Sequence, residues 1–259
     1  MKALSIIAIM LLGMVSNSMA QLHNEIVDYK QGDATLEGYL VYDQSIQGKR
    51  PGVLVVHEWD GLGNYAKMRA DMLARLGYVA FAADIYGKGI RPIKTEDKAA
   101  QAGIYRSDRA LMRARAQAGL DQLLKSSLVD PLKVAAIGYC FGGGVVLELA
   151  RSGAPLAGVV SFHGNLDTPN PQDANNIKCQ VLALHGGSDP YVTSDQVQAF
   201  QKEMTDAHVN WQMVEYGGAV HGFTNSNNGD DPSKGVAYNA QADKRSWQEM
   251  QYFFDSLFK

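Results

Sequence analysis

Cysteine is scarce in this sequence, with two residues, Cys140 and Cys179, among 259. There is no C-x-x-C pair, so a thiol redox function lacks its resolving partner. A Cys140–Cys179 bridge is not expected, because it would consume the most reactive-looking position in the chain. Beyond the N-terminus no stretch is apolar enough to span a bilayer. Positive charge is not in excess: 24 Lys and Arg stand against 27 Asp and Glu, for a formal charge of −3. No basic face for nucleic acid is implied. Internal repeats, linkers and low-complexity tracts are missing too, and the histidines show no H-x-x-x-H spacing. The sequence therefore offers no metal signature, and no cofactor is expected.

What is present begins with a leader. Lys2 gives a short basic start, Ala3 to Val15 is apolar but for Ser5 and Gly13, and Ser18-Met19-Ala20 is a small-x-small cleavage signal. Residues 1–20 read as a signal peptide cut after Ala20. Gln21, not Cys, follows the cut, which argues against a lipoprotein. The expectation is export to the periplasm without a membrane anchor. Residues 21–259 have the size of one α/β domain.

Periodicity supports that class. Leu36 to Tyr42 alternates with period two, and Gly52 to Val56 is a solid apolar run of the buried parallel type. Further strands are expected at Tyr78 to Ala83, Val134 to Ile137, Leu156 to Phe162, Val181 to Leu184 and Trp211 to Glu215. Helical spacing covers Tyr65 to Leu76, Thr95 to Leu124 as two helices, Val145 to Arg151, Asp195 to Ala207 and about Val236 to Phe258. Strands alternating with helices predict a mostly parallel central sheet flanked by helices on both faces. Residues 222–234 read as a polar, turn-rich loop.

Sheets of this kind place their sites at the carboxyl ends of the strands. The residues there are His57 and Glu58, Asp84, Cys140, His163, His185 with Asp189, and His221. Cys140 lies in "AIGYCFGGG", a strand, a tight turn and a helix laid out as in the G-x-S-x-G nucleophile elbow, with cysteine at the serine position. The order Cys140, Asp189, His221 is nucleophile, acid, base, and each follows a predicted strand.

With these pieces the sequence resembles the dienelactone hydrolase family. The similarity rests on "VLVVHEWDGL" at 53–62, "GYVAFAADIYGKG" at 77–89, "VAAIGYCFGGG" at 134–144, "HGGSDP" at 185–190 and "HGF" at 221–223. The resemblance implies an α/β-hydrolase fold with Cys140, Asp189 and His221 as a triad. It also implies that Glu58 holds the resting thiol before substrate arrives. A second reading of Glu58 is a helix-capping carboxylate near Gly61.

Chemistry supports the first reading. A free thiol with pKa near 8.5 is only about 3% thiolate at neutral pH and needs a helix N-terminus and an imidazole to activate it. Backbone N–H groups of Phe141 and Trp59 are the candidate oxyanion donors, worth about 3 kcal/mol each. A thiolate is itself a good leaving group, so simple alkyl esters are expected to be poor substrates. Enol lactones, aryl esters and thioesters are expected to be good ones. Tyr86, Tyr139, His163 and Asn225 are candidate pocket-lining residues. Asn225 also marks a departure, since the family places an arginine four residues after the catalytic histidine to hold a substrate carboxylate. Arg106 is the candidate for a second family arginine, with Lys88 or Arg91 as substitutes. The competing function is a non-catalytic exported protein that binds a small ligand on a hydrolase shell.

Overall fold

The computed structural model describes residues 20–259. The expected leader, residues 1–20, lies outside the described residues except for Ala20. Eight strands form one sheet: β1 (Leu22–Gln31), β2 (Ala34–Asp43), β3 (Arg50–Val56), β4 (Val79–Ala83), β5 (Val129–Tyr139), β6 (Gly158–Phe162), β7 (Gln180–Gly186) and β8 (Trp211–Tyr216). Their order is β1-β2-β4-β3-β5-β6-β7-β8. The β1–β2 and β2–β4 pairs are antiparallel, and every pair from β4 to β8 is parallel. Among the described residues six α-helices surround the sheet: α1 (Asn64–Arg75), α2 (Thr95–Ser107), α3 (Arg109–Leu124), α4 (Phe141–Arg151), α5 (Ser194–Asp206) and α6 (Ala240–Leu257).

The pleat of β3 distributes the core between two faces. Leu54 and Val56 pack with Ala102, Ala116, Val145 and Phe200 of α2 to α5, whereas Val53 and Val55 pack with Ala70 of α1 and Phe254 of α6. Successive side chains of a strand point to opposite faces, so a continuous apolar run needs cover on both.

Strand β5 starts five residues earlier than its apolar run, at Val129, and three further differences have a physical reason. Strand β1 carries no apolar alternation because it is an edge strand in which only Tyr29 is buried. Helix α4 starts at Phe141, four residues before the apolar stretch, because glycines 142–144 form its first turn. Helix α6 starts at Ala240, where the Asn239 side chain accepts the Ala242 N–H at 3.0 Å. Residues 235–237 are instead drawn into backbone hydrogen bonds with His221.

Candidate active site

The parallel strands all end at one edge, and the chain delivers Glu58, Cys140, His163 and Asp189 there from β3, β5, β6 and β7. Cys140 follows β5 with φ 53° and ψ −116°. A non-glycine residue held there costs about 1–3 kcal/mol and persists only where its surroundings fix it. Here the Cys140 N–H lies 3.0 Å from Phe162 O at the end of β6 and 3.2 Å from His163 Nδ1 just after it. The turn also needs glycine before it. A Cβ on Gly138 would stand 2.0 Å from Gly142 O, so no side chain fits between strand and helix. The cysteine so placed is 7% exposed, a buried thiol and not the open tip the elbow pattern suggests.

His221 and Asp189 arrive from the two loops beyond β7 and β8. His221 Nε2 is 3.0 Å from Cys140 Sγ, and its Nδ1 is 2.8 Å from Asp189 Oδ2. The second carboxylate oxygen, Asp189 Oδ1, accepts the Tyr191 N–H at 2.8 Å. The His221 backbone is clamped from the other side, donating to Gly235 O and accepting from Ala237 N–H at 3.2 Å each. Burial alone lowers the basicity of His221, yet the Cys140 sulfur and the Asp189 carboxylate outweigh it and hold the imidazole pKa well above its ordinary value.

Glu58 follows β3 at the same sheet edge. Its carboxylate, 8% exposed, accepts the Asn225 Nδ2–H at 2.6 Å. Burial pushes its pKa up to about 7, with the Asn225 hydrogen bond opposing that shift. The backbone around it is fixed by His57, which accepts the Ile85 N–H on Nε2 at 3.1 Å and so presents Nδ1–H to Glu58 O at 2.6 Å. Tyr86 donates its hydroxyl to Trp59 O at 3.0 Å.

Several expectations are corrected by these positions. Tyr139 is fully buried and does not line a pocket: it shares the face of Ala135 and Ile137, stacks on Phe162 at 4.6 Å and lies under the Arg69 guanidinium. His163 is likewise fully buried, behind the nucleophile, with φ 40°. Tyr86 is 2% exposed and supports the Trp59 segment from beneath, its ring 5.3 Å from Phe141. Asn225 is spent on Glu58. Glu58 caps no helix, because α1 begins at Asn64 with Gly63 as its N-cap and no side-chain cap. The thiol's hydrogen bond goes to His221 and not to Glu58. The cationic candidates are engaged elsewhere: Lys88 with Asp28, Arg91 with the carbonyls of Leu62, Gly87 and Ile90, and Arg106 with Asn165. Asp84 is a turn residue whose carboxylate accepts from the Tyr86 and Gly87 N–H groups. Cys140 and Cys179 are both free.

Sequence reasoning missed Thr224, Tyr65 and Arg69. His163 Nε2 is 2.7 Å from Thr224 Oγ1, which also meets the Tyr65 hydroxyl, while Arg69 donates to Thr224 O at 2.7 Å and to Asp243 at 2.6 Å. Arg69 had a readable signal, because it falls between Ala66, Ala70 and Leu73 on the buried stripe of α1. Thr224 and Tyr65 had none, being ordinary in type and 159 residues apart.

The sequence model of the dienelactone hydrolase family matches residues 36–258. Among solved structures, one designated m3DLH is 39% identical, with a TM-score of 0.89 and coverage of 92% of this chain and 99% of its own. A dienelactone hydrolase-like promiscuous phosphotriesterase from metagenomic libraries is 42% identical, with a TM-score of 0.88 and the same coverage. A protein of Saccharolobus solfataricus provisionally assigned as a carboxymethylenebutenolidase is 26% identical over 80% of this chain and 90% of its own.

Proposed function

Because the chain belongs to the dienelactone hydrolase family and is a hydrolase of esters or lactones, we propose that Cys140 is its nucleophile, His221 its base and Asp189 the group that orients His221. The observation that carries this reading is the continuous line from Asp189 Oδ2 through His221 to Cys140 Sγ, with bonds of 2.8 and 3.0 Å. Cys140 gives its proton to His221 as the sulfur adds to the substrate carbonyl carbon, and the oxygen takes the negative charge. The N–H groups of Phe141, at the start of α4, and of Trp59 meet that oxyanion. His221 then passes its proton to the departing oxygen and leaves an acyl-thioenzyme. Water, deprotonated by His221, attacks the thioester carbonyl, the C–S bond breaks to release the carboxylic acid, and His221 returns the proton to sulfur.

Cysteine narrows the substrate class. The first tetrahedral intermediate collapses forward only when the leaving oxygen competes with a thiolate, which favours enol lactones and aryl esters over alkyl esters. Glu58 modulates the thiol. With a pKa of about 7 it passes between neutral and charged forms near neutrality, and its charge beside the site opposes a second anion on sulfur. Asn225 holds it and leaves the thiol to His221. Residues 21–259 act as one domain, exported to the periplasm after loss of the leader.

A second reading concerns phosphotriesters. The 42% identical relative is described as a promiscuous phosphotriesterase, and a phosphotriester with an aryloxide leaving group meets the same nucleophile and the same leaving-group rule.

The test is hydrolysis of p-nitrophenyl acetate, dienelactone and an aryl phosphotriester by wild type, Cys140→Ala and Cys140→Ser. The expected outcome is aryl ester and lactone turnover that falls at least about 10³-fold in Cys140→Ala. Absence of turnover on all three, together with no labelling of Cys140 by iodoacetamide, supports a ligand-binding protein instead.

A further inference from the structure

His163 is used by no step above, yet it occupies an unusual place. It follows β6 at φ 40°, is fully buried, and touches both halves of the site. Its Nδ1 faces the Cys140 N–H at 3.2 Å and must accept there, so the ring carries its proton on Nε2 and donates it to Thr224 Oγ1 at 2.7 Å. Thr224 lies three residues beyond His221 and directly before Asn225, the partner of Glu58. Its carbonyl is held in turn by Arg69 at 2.7 Å. The ring also packs edge-on to His221, with centroids 5.6 Å apart, and to Phe223 at 5.1 Å.

We propose that His163 is a positioning residue for this hydrolase: a neutral imidazole that ties the nucleophile elbow to the segment carrying His221 and Asn225. The inference rests on the reading of Cys140 as nucleophile and deepens it. Cys140 follows β5 and Thr224 lies beyond β8, on opposite sides of β6 and β7, so the His163 link is a second tie between them beside the His221–sulfur contact itself. A shift of the 221–225 segment would lengthen the His221–sulfur bond and free Glu58 from Asn225 at once. The tie works only with an unprotonated Nδ1, because a second ring proton would oppose the Cys140 N–H. Burial first, and then the positive charges of His221 and Arg69, keep the ring pKa well below its ordinary value. The titratable groups around it are His221, Arg69, His185, Cys140 and Tyr139, with Tyr65 reaching it through Thr224.

The decisive variants are Thr224→Val, a buried near-isostere lacking the hydroxyl, Thr224→Ser, which restores it, and His163→Asn. Asparagine tolerates positive φ and keeps an acceptor near the Cys140 N–H but does not reach Thr224. Steady-state kinetics on p-nitrophenyl acetate and the pH dependence of Cys140 alkylation by iodoacetamide are measured on the full-length mature chain. Thr224→Val and His163→Asn are expected to lower kcat about 10- to 100-fold with KM little changed. They are also expected to move the alkylation profile to higher pH, because a displaced His221 stabilises the thiolate less. Thr224→Ser is expected to recover most of both, and the Val/Asn double variant to lose no more than either alone, since both cut one bond. The proposal is overturned if Thr224→Val keeps wild-type kcat and alkylation profile, if serine fails to rescue it, or if the two losses multiply. Cys140→Ala separates the two ideas. Wild-type turnover that persists in it overturns the nucleophile assignment, whereas Cys140-dependent turnover unchanged in Thr224→Val overturns the role of His163 alone.

Discussion

At the scale of single residues, the site is a set of polar groups made tolerable by partners. Glu58 illustrates the sign of such an arrangement. Its pKa rises from 4.5 to about 7 through burial, so the folded protein holds a proton that the unfolded chain gives up more readily. The neutral carboxyl is therefore fully compatible with folding below about pH 4.5. Stability is lost as pH rises through the interval up to about 7, and the loss levels off above it. Its size follows from the shift at about 1.4 kcal/mol per unit, on the order of 3 kcal/mol. Glu58→Gln carries no charge and can still accept from Asn225. It is expected to be more stable than wild type at pH 8.5, on that order, and about equal to it at pH 4.5. Urea denaturation at the two pH values reads the difference, and a pH-independent gap between the proteins would contradict it.

At the scale of elements, the elbow is a junction where three backbones approach too closely for side chains. Helix α4 opens with glycines that ordinary propensity disfavours, each by about 1 kcal/mol against alanine. The contacts reverse that preference, because a Cβ on Gly142 would stand 2.4 Å from Val56 O and 2.6 Å from His57 O. Backbone cannot yield as a flexible side chain can. Overpacking of this kind costs about 1–3 kcal/mol against the gain of about 1 kcal/mol from propensity, so Gly142→Ala is expected to destabilise the protein by a net of up to about 2 kcal/mol, against the usual direction for a helix. The same shift moves His57 and Glu58, so ester turnover should fall with it. Thermal unfolding and p-nitrophenyl acetate kinetics on the one variant check both. The apolar periodicity located the helix but not its beginning, because the residues that seat it against β3 have no side chains to show a pattern.

At the scale of the whole molecule, the face opposite α1 and α6 contains a buried ionic cluster far from the chemistry. Arg151 at the end of α4 is fully buried, binds both carboxylate oxygens of Glu203 on α5 at 2.7 and 2.8 Å, and reaches Glu148 at 3.0 Å and Leu166 O at 3.1 Å. Removing Arg151 leaves the Glu203 carboxylate buried without compensation, while Glu148 keeps Arg113 at 2.9 Å; stranding one such charge costs about 3–5 kcal/mol, whereas removing the pair together costs far less. Arg151→Met is expected to lower Tm by roughly 10 °C, and adding Glu203→Leu to recover a good part of it. Calorimetry of the two variants decides, and an additive loss would show that the cluster is not a coupled unit. The sequence by itself determined the α/β class, the chain order Cys140, Asp189, His221 and the strand ends on which they sit, because these depend on local periodicity and on turns of a few residues. Even the face of Tyr139 was readable, by its parity with Ala135 and Ile137 on β5. Only the tertiary structure decided that the edge strand β1 exists, that His163 lies behind the thiol, and that Asn225 meets Glu58. The strand forms by pairing along β2 without an apolar pattern of its own, and the other two depend on hydrogen bonds between residues 61 and 167 positions apart. Whether a buried polar group is satisfied is settled by what another segment brings to it, and no local pattern carries that information.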